Sequence, residues 1–251
     1  MNLIELQQGT AEWHNHRQTH FNTSEAAAML GVSPYTKRDA LLKQKKTGIT
    51  PEVNQYQQAI FDKGHLIESL LRPIAEQQLG QELYPCVGVL EGTKLSASFD
   101  GLTMDERTVS EAKTLNKTLR KTQGRPLPLH YRAQLEQQLL VSGADKALFI
   151  AASLNDAGDI SDQLTVDYSS DPELRQRIIQ GWQQFEKDLA EYPIKEAPAP
   201  AERITFAQIN DALWPLQIQS CIYRLGAYAV ADDYNRQDIK KTLIRHIERA
   251  L

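Results

Sequence analysis

The chain has 251 residues, of which 41% are hydrophobic and 24% charged, and its formal net charge at pH 7 is −4. This length permits one sizeable core or one domain with an appendage, and the composition predicts a soluble globular protein. The negative total charge argues against a generic nucleic-acid coat, which would be basic. The sequence has no apolar run long enough to span a bilayer, no signal-peptide pattern and two cysteines outside any CxxC pair. We therefore expect a cytoplasmic protein without disulfides or a zinc site.

The first third of the chain has the pattern of helices. Thr23-Ser24 offers a hydroxyl N-cap to the short apolar run that follows it, and Gly31 offers a C-cap. A second helix is predicted over residues 38–46 and a third over residues 57–79, because apolar residues recur there at helical spacing. Pro73 predicts a kink within the third helix.

The middle of the chain alternates between strand and helix patterns. Short runs of β-forming residues are separated by Gly and charged turns. The predicted strands cover residues 86–90, 95–99, 108–112, 147–152 and 164–168, and the predicted helices cover residues 130–142 and 172–192. This order predicts an α+β protein in which helices flank a mixed central sheet.

A Pro- and Ala-rich segment, KEAPAPAER, follows the last of these helices. It predicts three parts: a domain over residues 1–194, a linker over residues 195–204 and a helical C-terminal extension over residues 205–251. The extension contains a dense apolar stretch between Leu213 and Leu225. We expect that stretch to pack on the chain's own core or against another chain.

Asp100, Glu111 and Lys113 supply the groups that hydrolysis of a phosphodiester needs: oxygen ligands for a metal ion and a nearby positive charge. Glu111 and Lys113 lie two residues apart and so share one face of a strand. Asp100, at the predicted end of the preceding strand beside a Gly turn, would stand opposite them across a hairpin. The alternative is a surface ion pair of Glu111 with Lys113 or Lys117. A helical Glu68 before the sheet and a Gln-bearing helix after it favour the site.

A basic segment follows this strand. Between Glu111 and Glu136 the sequence has six Lys or Arg residues and no acidic residue. Such a segment is either a solvated face or a nucleic-acid contact, and its place directly after the carboxylate-bearing strand favours the contact. The candidate DNA-binding residues are Lys117, Arg120, Lys121 and Arg125.

Seven short segments occur in a fixed order over about residues 8–192. They are Gly9…Trp13-His14…Arg17, Thr23-Ser24-Glu25, Thr47-Gly48…Pro51-Glu52-Val53-Asn54, Gly64…Glu68, Ser98-Phe99-Asp100-Gly101-Leu102, Glu111-Ala112-Lys113 and Tyr131-Arg132-Ala133-Gln134. In these segments the chain resembles lambda exonuclease and the related viral recombinase (alkaline exonuclease) nucleases of the PD-(D/E)xK superfamily. The resemblance implies a restriction-endonuclease-like fold.

The resemblance also implies a role for each matching residue. Asp100, Glu111 and the backbone carbonyl of Ala112 match metal ligands of the family. Glu68 matches the carboxylate that faces a second metal. Lys113 matches the catalytic lysine, and Gln134 matches a glutamine near the active site. Arg17, Ser24 and Ser98, together with Gln134, match a pocket for the 5′-terminal phosphate.

Each of these residues has a simpler interpretation. Arg17 would pair with Glu12, Ser24 would only cap a helix, Ser98 would be a strand-end hydroxyl, Glu68 would be an exposed helix residue, and Gln134 would lie on a solvated face with Gln137 and Gln138. His14, His16, His20, His65 and His130 match no standard metal spacing, and we interpret them as structural or DNA-facing.

The activity that the resemblance implies is two-metal, Mg²⁺-dependent digestion of linear double-stranded DNA from its 5′ ends, with Mn²⁺ as a substitute for Mg²⁺. The products would be 5′-mononucleotides and a 3′ overhang for a single-strand annealing protein. A ring-shaped homotrimer in a bacterial or phage-infected cell is implied as well. A restriction- or repair-type endonuclease and a catalytically idle DNA-binding module are the alternatives. The interval between Glu52 and Gly64 is longer than in lambda exonuclease, and the C-terminal extension has no counterpart that we recognise.

Overall fold

The computed structural model describes residues 1–49, 54–122 and 124–193. The predicted linker and the predicted C-terminal extension lie outside these residues, as do Pro51, Glu52 and Val53.

The helices and strands follow the predicted order. The helices are α1 (Ala11–Thr19), α2 (Ala26–Met29), α3 (Arg38–Thr47), α4 (Gln55–Leu79), α5 (Lys117–Arg120), α6 (Leu129–Ser142) and α7 (Pro172–Glu191). The strands are β1 (Asn2–Ile4), β2 (Phe21–Asn22), β3 (Leu83–Val89), β4 (Leu95–Thr103), β5 (Thr108–Thr114), β6 (Lys146–Leu154) and β7 (Ile160–Ser169). The helical interpretation of the first third missed β1 and β2, whose two or three residues are too few to show strand alternation. The predicted helices also did not include α1, which has no buried residue, or α5, which has four residues.

The strands form one mixed sheet in the order β1-β3-β4-β5-β6-β7, with β2 added beside β4. The β5–β6 and β2–β4 pairs are parallel, and the other described pairs are antiparallel. This arrangement confirms the predicted α+β class with a mixed central sheet flanked by helices.

Strand β6 is buried on both faces of the sheet. Phe149 and Ala151 join the main core with α6 and α7, whereas Ile150 and Ala152 pack with Ile67 of α4 and its neighbours. Because successive side chains of a strand point to opposite faces, α4 covers one face and α6 covers the other. Because helices cover both faces of β6, its sequence is a continuous apolar run rather than an alternation of apolar and polar residues.

The first short helix begins differently from the sequence prediction. Residues Thr23–Glu25 form a 3-10 turn that leads into α2, and the residue that precedes the turn is Asn22. The Asn22 backbone N–H donates to the Glu25 carboxylate at 3.1 Å. The predicted cap at Thr23-Ser24 is therefore wrong, and the Ser24 hydroxyl is available for other contacts.

Candidate active site

A bulge in β4 determines where Asp100 points. Tyr84 and Cys86 of β3 are two residues apart, but their partners in β4, Leu102 and Phe99, are three residues apart. The additional residue lies at Asp100–Gly101, and such a bulge turns a side chain out of the regular alternation. The prediction that Asp100 ends a strand beside a Gly turn is wrong, because β4 continues to Thr103.

Gly101 is required by close packing rather than by a turn. A Cβ at this position would lie 2.9 Å from Cβ of Leu83 on the neighbouring strand. β4 pairs with β5 only at Gly101–Ser110 and Leu102–Val109 in the described register. Strands β4 and β5 are therefore not paired at the level of Asp100 and Glu111.

Asp100 lies in this gap between the strands. Its Oδ2 accepts a hydrogen bond from the backbone N–H of Ala112 at 2.9 Å. Burial raises the pKa of Asp100 well above its ordinary value, and the charges of Glu111 and Glu68 raise it further, while Lys113 opposes them. The carboxylates of Asp100, Glu111 and Glu68 and the ammonium of Lys113 therefore interact electrostatically at this place.

Glu111 is almost completely buried, with 1% of the residue exposed. Gln134 donates from Nε2 to its Oε1, and Gln138 donates from Nε2 to its Oε2, both at 2.6 Å. Lys113 Nζ also contacts Oε1. Every oxygen of this carboxylate therefore has a donor, and its position is fixed from α6 and from its own strand.

Two of the three glutamines of α6 are buried rather than solvated, and Gln134 is half-buried. Gln137 and Gln138 are fully buried. Gln137 donates to the carbonyl of Phe21 at 2.8 Å and accepts from Nε1 of Trp182 at 2.7 Å. The interpretation of this face as a solvated surface is wrong, because α6 lies between the sheet and its neighbours α2 and α7, so that polar side chains on it find buried partners.

Lys113 lies between the buried carboxylates and the protein surface. Its side chain is 31% exposed, and it contacts Glu111 at the inner end. Burial lowers the pKa of Lys113, but the charges of Glu111 and Asp100 more than offset this and raise it above the ordinary value. The ammonium therefore stays charged at neutral pH.

Glu68 approaches the same place from α4. It accepts a hydrogen bond from Arg72 at 3.2 Å, and its side chain is 24% exposed. With Asp100 and Ala112 it lines a small cavity of about 10 Å³, which is room for one water-sized species. The alternative interpretation of Glu68 as an exposed helix residue is wrong.

The donor chemistry of this cluster fits Mg²⁺. Carboxylate and backbone carbonyl oxygens are hard ligands, and Mg²⁺ is usually held by one or two carboxylates and substrate phosphates rather than by a complete protein cage. In the described part of the chain, no three His, Cys, Asp or Glu side chains are grouped closely enough to hold a metal ion by themselves. A divalent cation would relieve the repulsion that raises the pKa of Asp100.

Arg17, Ser24 and Ser98 form one chain of contacts through Trp13. Arg17 Nη2 donates to Oγ of Ser24 at 2.9 Å, and its guanidinium lies 4.6 Å from the ring centroid of Trp13. Trp13 Nε1 donates to Oγ of Ser98 at 2.9 Å. The alternative pairing of Arg17 with Glu12 is wrong, because the carboxylate near the guanidinium is that of Glu25, at 3.8 Å.

An open cleft of about 260 Å³ is lined by Lys113, Gln134 and Ser24, among other residues. Its other lining residues come from α2, from the loop before α3, from the end of β5 and its connection to α5, and from the start of α6. They include Tyr35, Asn116, His130 and Tyr131. Sequence reasoning placed Tyr131 in a matching segment and interpreted His130 as structural or DNA-facing, but it did not connect Tyr35 or Asn116 with the site, because only the fold brings them beside Lys113.

The basic segment is partly used within the protein. Arg120 pairs with Asp162 of β7 and donates to Oγ of Ser153 at 2.9 Å. Arg132 pairs with Asp171. A role in DNA binding stays a prediction for Lys117, Arg120, Lys121 and Arg125.

None of the helices that the structure describes combines the length and apolar character of a membrane span.

The fold and the carboxylate–lysine cluster together define a protein of the restriction-endonuclease-like α+β class. Residues 12–145 match the YqaJ-like viral recombinase domain, and this is more than half of the chain. The chain belongs to this family, which confirms the resemblance to the viral recombinase nucleases. No curated protein sequence matches the chain.

Solved structures share the fold. An alkaline exonuclease from Laribacter hongkongensis is 22% identical, with a TM-score of 0.59 over 72% of this chain and 93% of that chain. Its complex with dAMP gives 21% identity and a TM-score of 0.60 over the same shares. A phage-related exonuclease from Haemophilus somnus 129PT is 15% identical, with a TM-score of 0.50 over 70% of this chain and 97% of that chain.

Proposed function

We propose that this protein is a Mg²⁺-dependent exonuclease that digests linear double-stranded DNA from its 5′ ends to mononucleotides. The observation that carries the proposal is the position of Glu111. Its carboxylate is buried and accepts hydrogen bonds from two glutamines of α6. It also contacts Lys113, which lines an open cleft. A buried carboxylate fixed in this way beside a charged ammonium is costly for stability and is typical of a catalytic site.

Asp100, Glu111 and the Ala112 carbonyl would hold one Mg²⁺, and Glu68 would face a second. Mn²⁺, which takes similar oxygen ligands, would substitute. When bound, the metal supplies positive charge to the scissile phosphate and lowers the pKa of a water molecule. The cavity shared by Glu68, Asp100 and Ala112 supports this assignment, since it brings both carboxylates to one small space.

The chain's own residues would orient and stabilise the substrate. Lys113, with its raised pKa, would stay protonated and offset the charge that develops on the phosphate in the transition state. Ser24 accepts from Arg17 through Oγ, so its own hydroxyl proton is free to bind an anion such as a 5′-terminal phosphate. Gln134 lines the same cleft as these two groups.

Membership of a viral recombinase family supports a place for this activity in recombination. The exonuclease names of the structural neighbours are consistent with it. We propose that the product is a 3′ overhang for a single-strand annealing protein, and that the protein acts in the cytoplasm as a homotrimer around DNA. A domain over residues 1–194 would carry this activity, with residues 195–204 as a linker to a helical extension over residues 205–251.

Timed digestion of end-labelled DNA tests the proposal. Linear duplex with 5′-phosphate or 5′-hydroxyl ends is incubated with the full-length protein, with and without Mg²⁺, beside covalently closed circular duplex. We expect mononucleotides from the linear 5′-phosphorylated strand, in Mg²⁺ only. Cleavage of the circle would instead indicate an endonuclease, and binding without cleavage would indicate an idle DNA-binding module.

A further inference from the structure

The cleft beside Lys113 has a wall of aromatic rings that the proposed chemistry does not use. Tyr35 and His130 meet edge to face, with ring centroids 6.3 Å apart and an interplanar angle of 88°. His130 lies against Tyr131 with centroids 4.1 Å apart. Tyr131 is buried and packs on Phe149, whereas Tyr35 is 78% exposed. The rings therefore continue from the core of the protein to the mouth of the cleft.

The rest of the lining has the chemistry of a nucleotide site. The ten described residues that line the cleft include Lys113 and no carboxylate, although the whole chain has more acidic than basic residues. The hydroxyl of Ser24 and the amide of Gln134 also line the cleft, whereas the amide of Asn116 caps α5 and donates to the Tyr131 hydroxyl. Such a lining suits a ligand with a negative charge at one end and a flat aromatic ring at the other.

The size of the cleft narrows this choice. At about 260 Å³ it falls just below the roughly 300–1,000 Å³ of sites that hold drug-sized ligands. A cleft of this size has room for one nucleoside unit. Ser24 and Lys113 both line the cleft and offer a hydroxyl and an ammonium to the two phosphates that flank a single nucleotide.

The position of Tyr35 is set by its loop. Oγ of Ser33 accepts from the backbone N–H groups of Tyr35 at 3.2 Å and of Thr36 at 3.1 Å. This turn holds the exposed ring at the cleft. Burial lowers the pKa of His130, so its ring is uncharged at neutral and alkaline pH and offers an ordinary aromatic surface.

We propose that this aromatic wall binds the nucleobase of the 5′-terminal nucleotide of the strand that is being digested, with Tyr35 as its stacking residue. The inference rests on the proposed function. Stacking on an aromatic ring tolerates every base, because each base has a π-face, and it therefore suits an enzyme that removes nucleotides without regard to sequence. The base would be held while the phosphates lie at Ser24 and Lys113.

Release of the first nucleotide measures this contact. The substrates are linear duplexes whose 5′-phosphorylated terminal residue carries either adenine or no base, the latter as a tetrahydrofuran abasic residue. We expect the wild-type protein to release the adenine-bearing residue at least about 5-fold more efficiently, as kcat/KM, than the abasic one, which is the lower end of the effect of stacking one base. In Tyr35→Ala this ratio falls toward one, and in Tyr35→Phe it is kept.

Tyr56→Ala is the matched control, because Tyr56 is 75% exposed but lies at the start of α4 and not in the cleft. We expect it to keep the wild-type ratio. Differences in end fraying between the two substrates are the same for every variant and cancel in the comparison. Since Tyr35 is exposed, its variants should melt like the wild type.

The outcomes separate the two proposals. A wild-type ratio near one, or a ratio that Tyr35→Ala leaves unchanged, overturns the stacking site while the nuclease proposal stands. A protein that releases no nucleotide from either substrate overturns the proposed function itself.

Discussion

Gln138 donates from Nε2 to Oε2 of Glu111 across 2.6 Å, and this contact connects the middle of α6 to β5. Gln138 is fully buried, and its own Oε1 has no hydrogen-bond partner among the described residues. A buried amide with an unsatisfied carbonyl oxygen costs stability. The arrangement is understandable if the main role of Gln138 is to hold Glu111 in one orientation.

Replacing Gln138 with Met therefore tests a positioning role. Met has similar length and volume but cannot donate to Glu111. We expect the Mg²⁺ concentration for half-maximal activity to rise about 10-fold or more, the lower end for loss of a group that orients a metal ligand. The free energy of unfolding should fall by roughly 1–3 kcal/mol, because Oε2 of the buried Glu111 loses its donor, a cost that removal of the unpaired Oε1 partly offsets.

Rates over a Mg²⁺ series and denaturant unfolding measure these two effects. The exposed Gln176→Met on α7 serves as the control and should behave as the wild type in both. If Gln138→Met keeps the wild-type Mg²⁺ dependence, Gln138 only fills the core.

Asp100→Ala should abolish hydrolysis without unfolding the protein. The substitution removes a proposed metal ligand, but it also removes a buried carboxyl whose pKa is raised by burial and by Glu111. We expect the melting temperature to stay the same or rise slightly, because the ionised carboxylate is unfavourable in this place. Thermal melts and DNA digestion in Mg²⁺ measure both effects, with the exposed Asp156→Ala as the control. Substantial Mg²⁺-dependent activity in Asp100→Ala contradicts the assignment.

Lys113→Ala should lower kcat by orders of magnitude and change DNA affinity far less, since the ammonium is proposed to act on the transition state. Lys113→Arg should restore little, because a planar guanidinium cannot replace a compact ammonium in contact with Glu111. Single-turnover rates and equilibrium DNA binding distinguish the two effects. The exposed Lys146→Ala controls for the loss of one positive charge. An arginine variant close to the wild-type rate would indicate a general electrostatic effect instead.

Arg17→Ala should narrow the difference in rate between 5′-phosphorylated and 5′-hydroxyl ends. Arg17 orients the hydroxyl of Ser24 and carries the charge nearest to it, so its loss weakens a site for a terminal phosphate. The ratio of initial rates on the two ends is the measurement. Arg107→Ala, an exposed arginine paired with Asp145, should leave the ratio unchanged. If Arg17→Ala also leaves it unchanged, the role of Arg17 is confined to its contacts with Trp13 and Glu25.

His16 should make the stability of the fold depend on pH. Burial, together with the charges of His20, Arg17 and Lys45, lowers the pKa of His16 to about 4. Because this folded-state value lies below the ordinary value of about 6.5, the stabilisation is complete above pH 6.5 and is lost as the pH falls toward 4. We expect the free energy of unfolding to decrease less between pH 7.5 and 5 in His16→Gln than in the wild type.

The exposed His65→Gln controls for the general effect of removing a histidine. Denaturant unfolding at several pH values gives the comparison. An equal decrease in the wild type and in His16→Gln would show that His16 does not titrate with folding.

The sequence determined the order and type of most elements, because local patterns carry this information. Helix ends were predicted where Gly takes the left-handed conformation, as at Gly48 after α3, where φ is 68°. The alternation of Glu111 and Lys113 along β5 follows from strand geometry alone. These features depend on neighbours in the chain and need no knowledge of the fold.

The tertiary structure decided what surrounds these residues. The bulge that turns Asp100 exists because β4 has one more residue than the facing part of β3, and a single strand does not reveal its partner's register. Gln138 looks like a surface residue in sequence, but α6 is enclosed by the sheet on one side and by other helices elsewhere, so its amide reaches Glu111. Tyr35 and Lys113 are 78 positions apart in the chain and line one cleft. Contacts between distant segments are set by packing, which depends on the whole chain rather than on any local pattern.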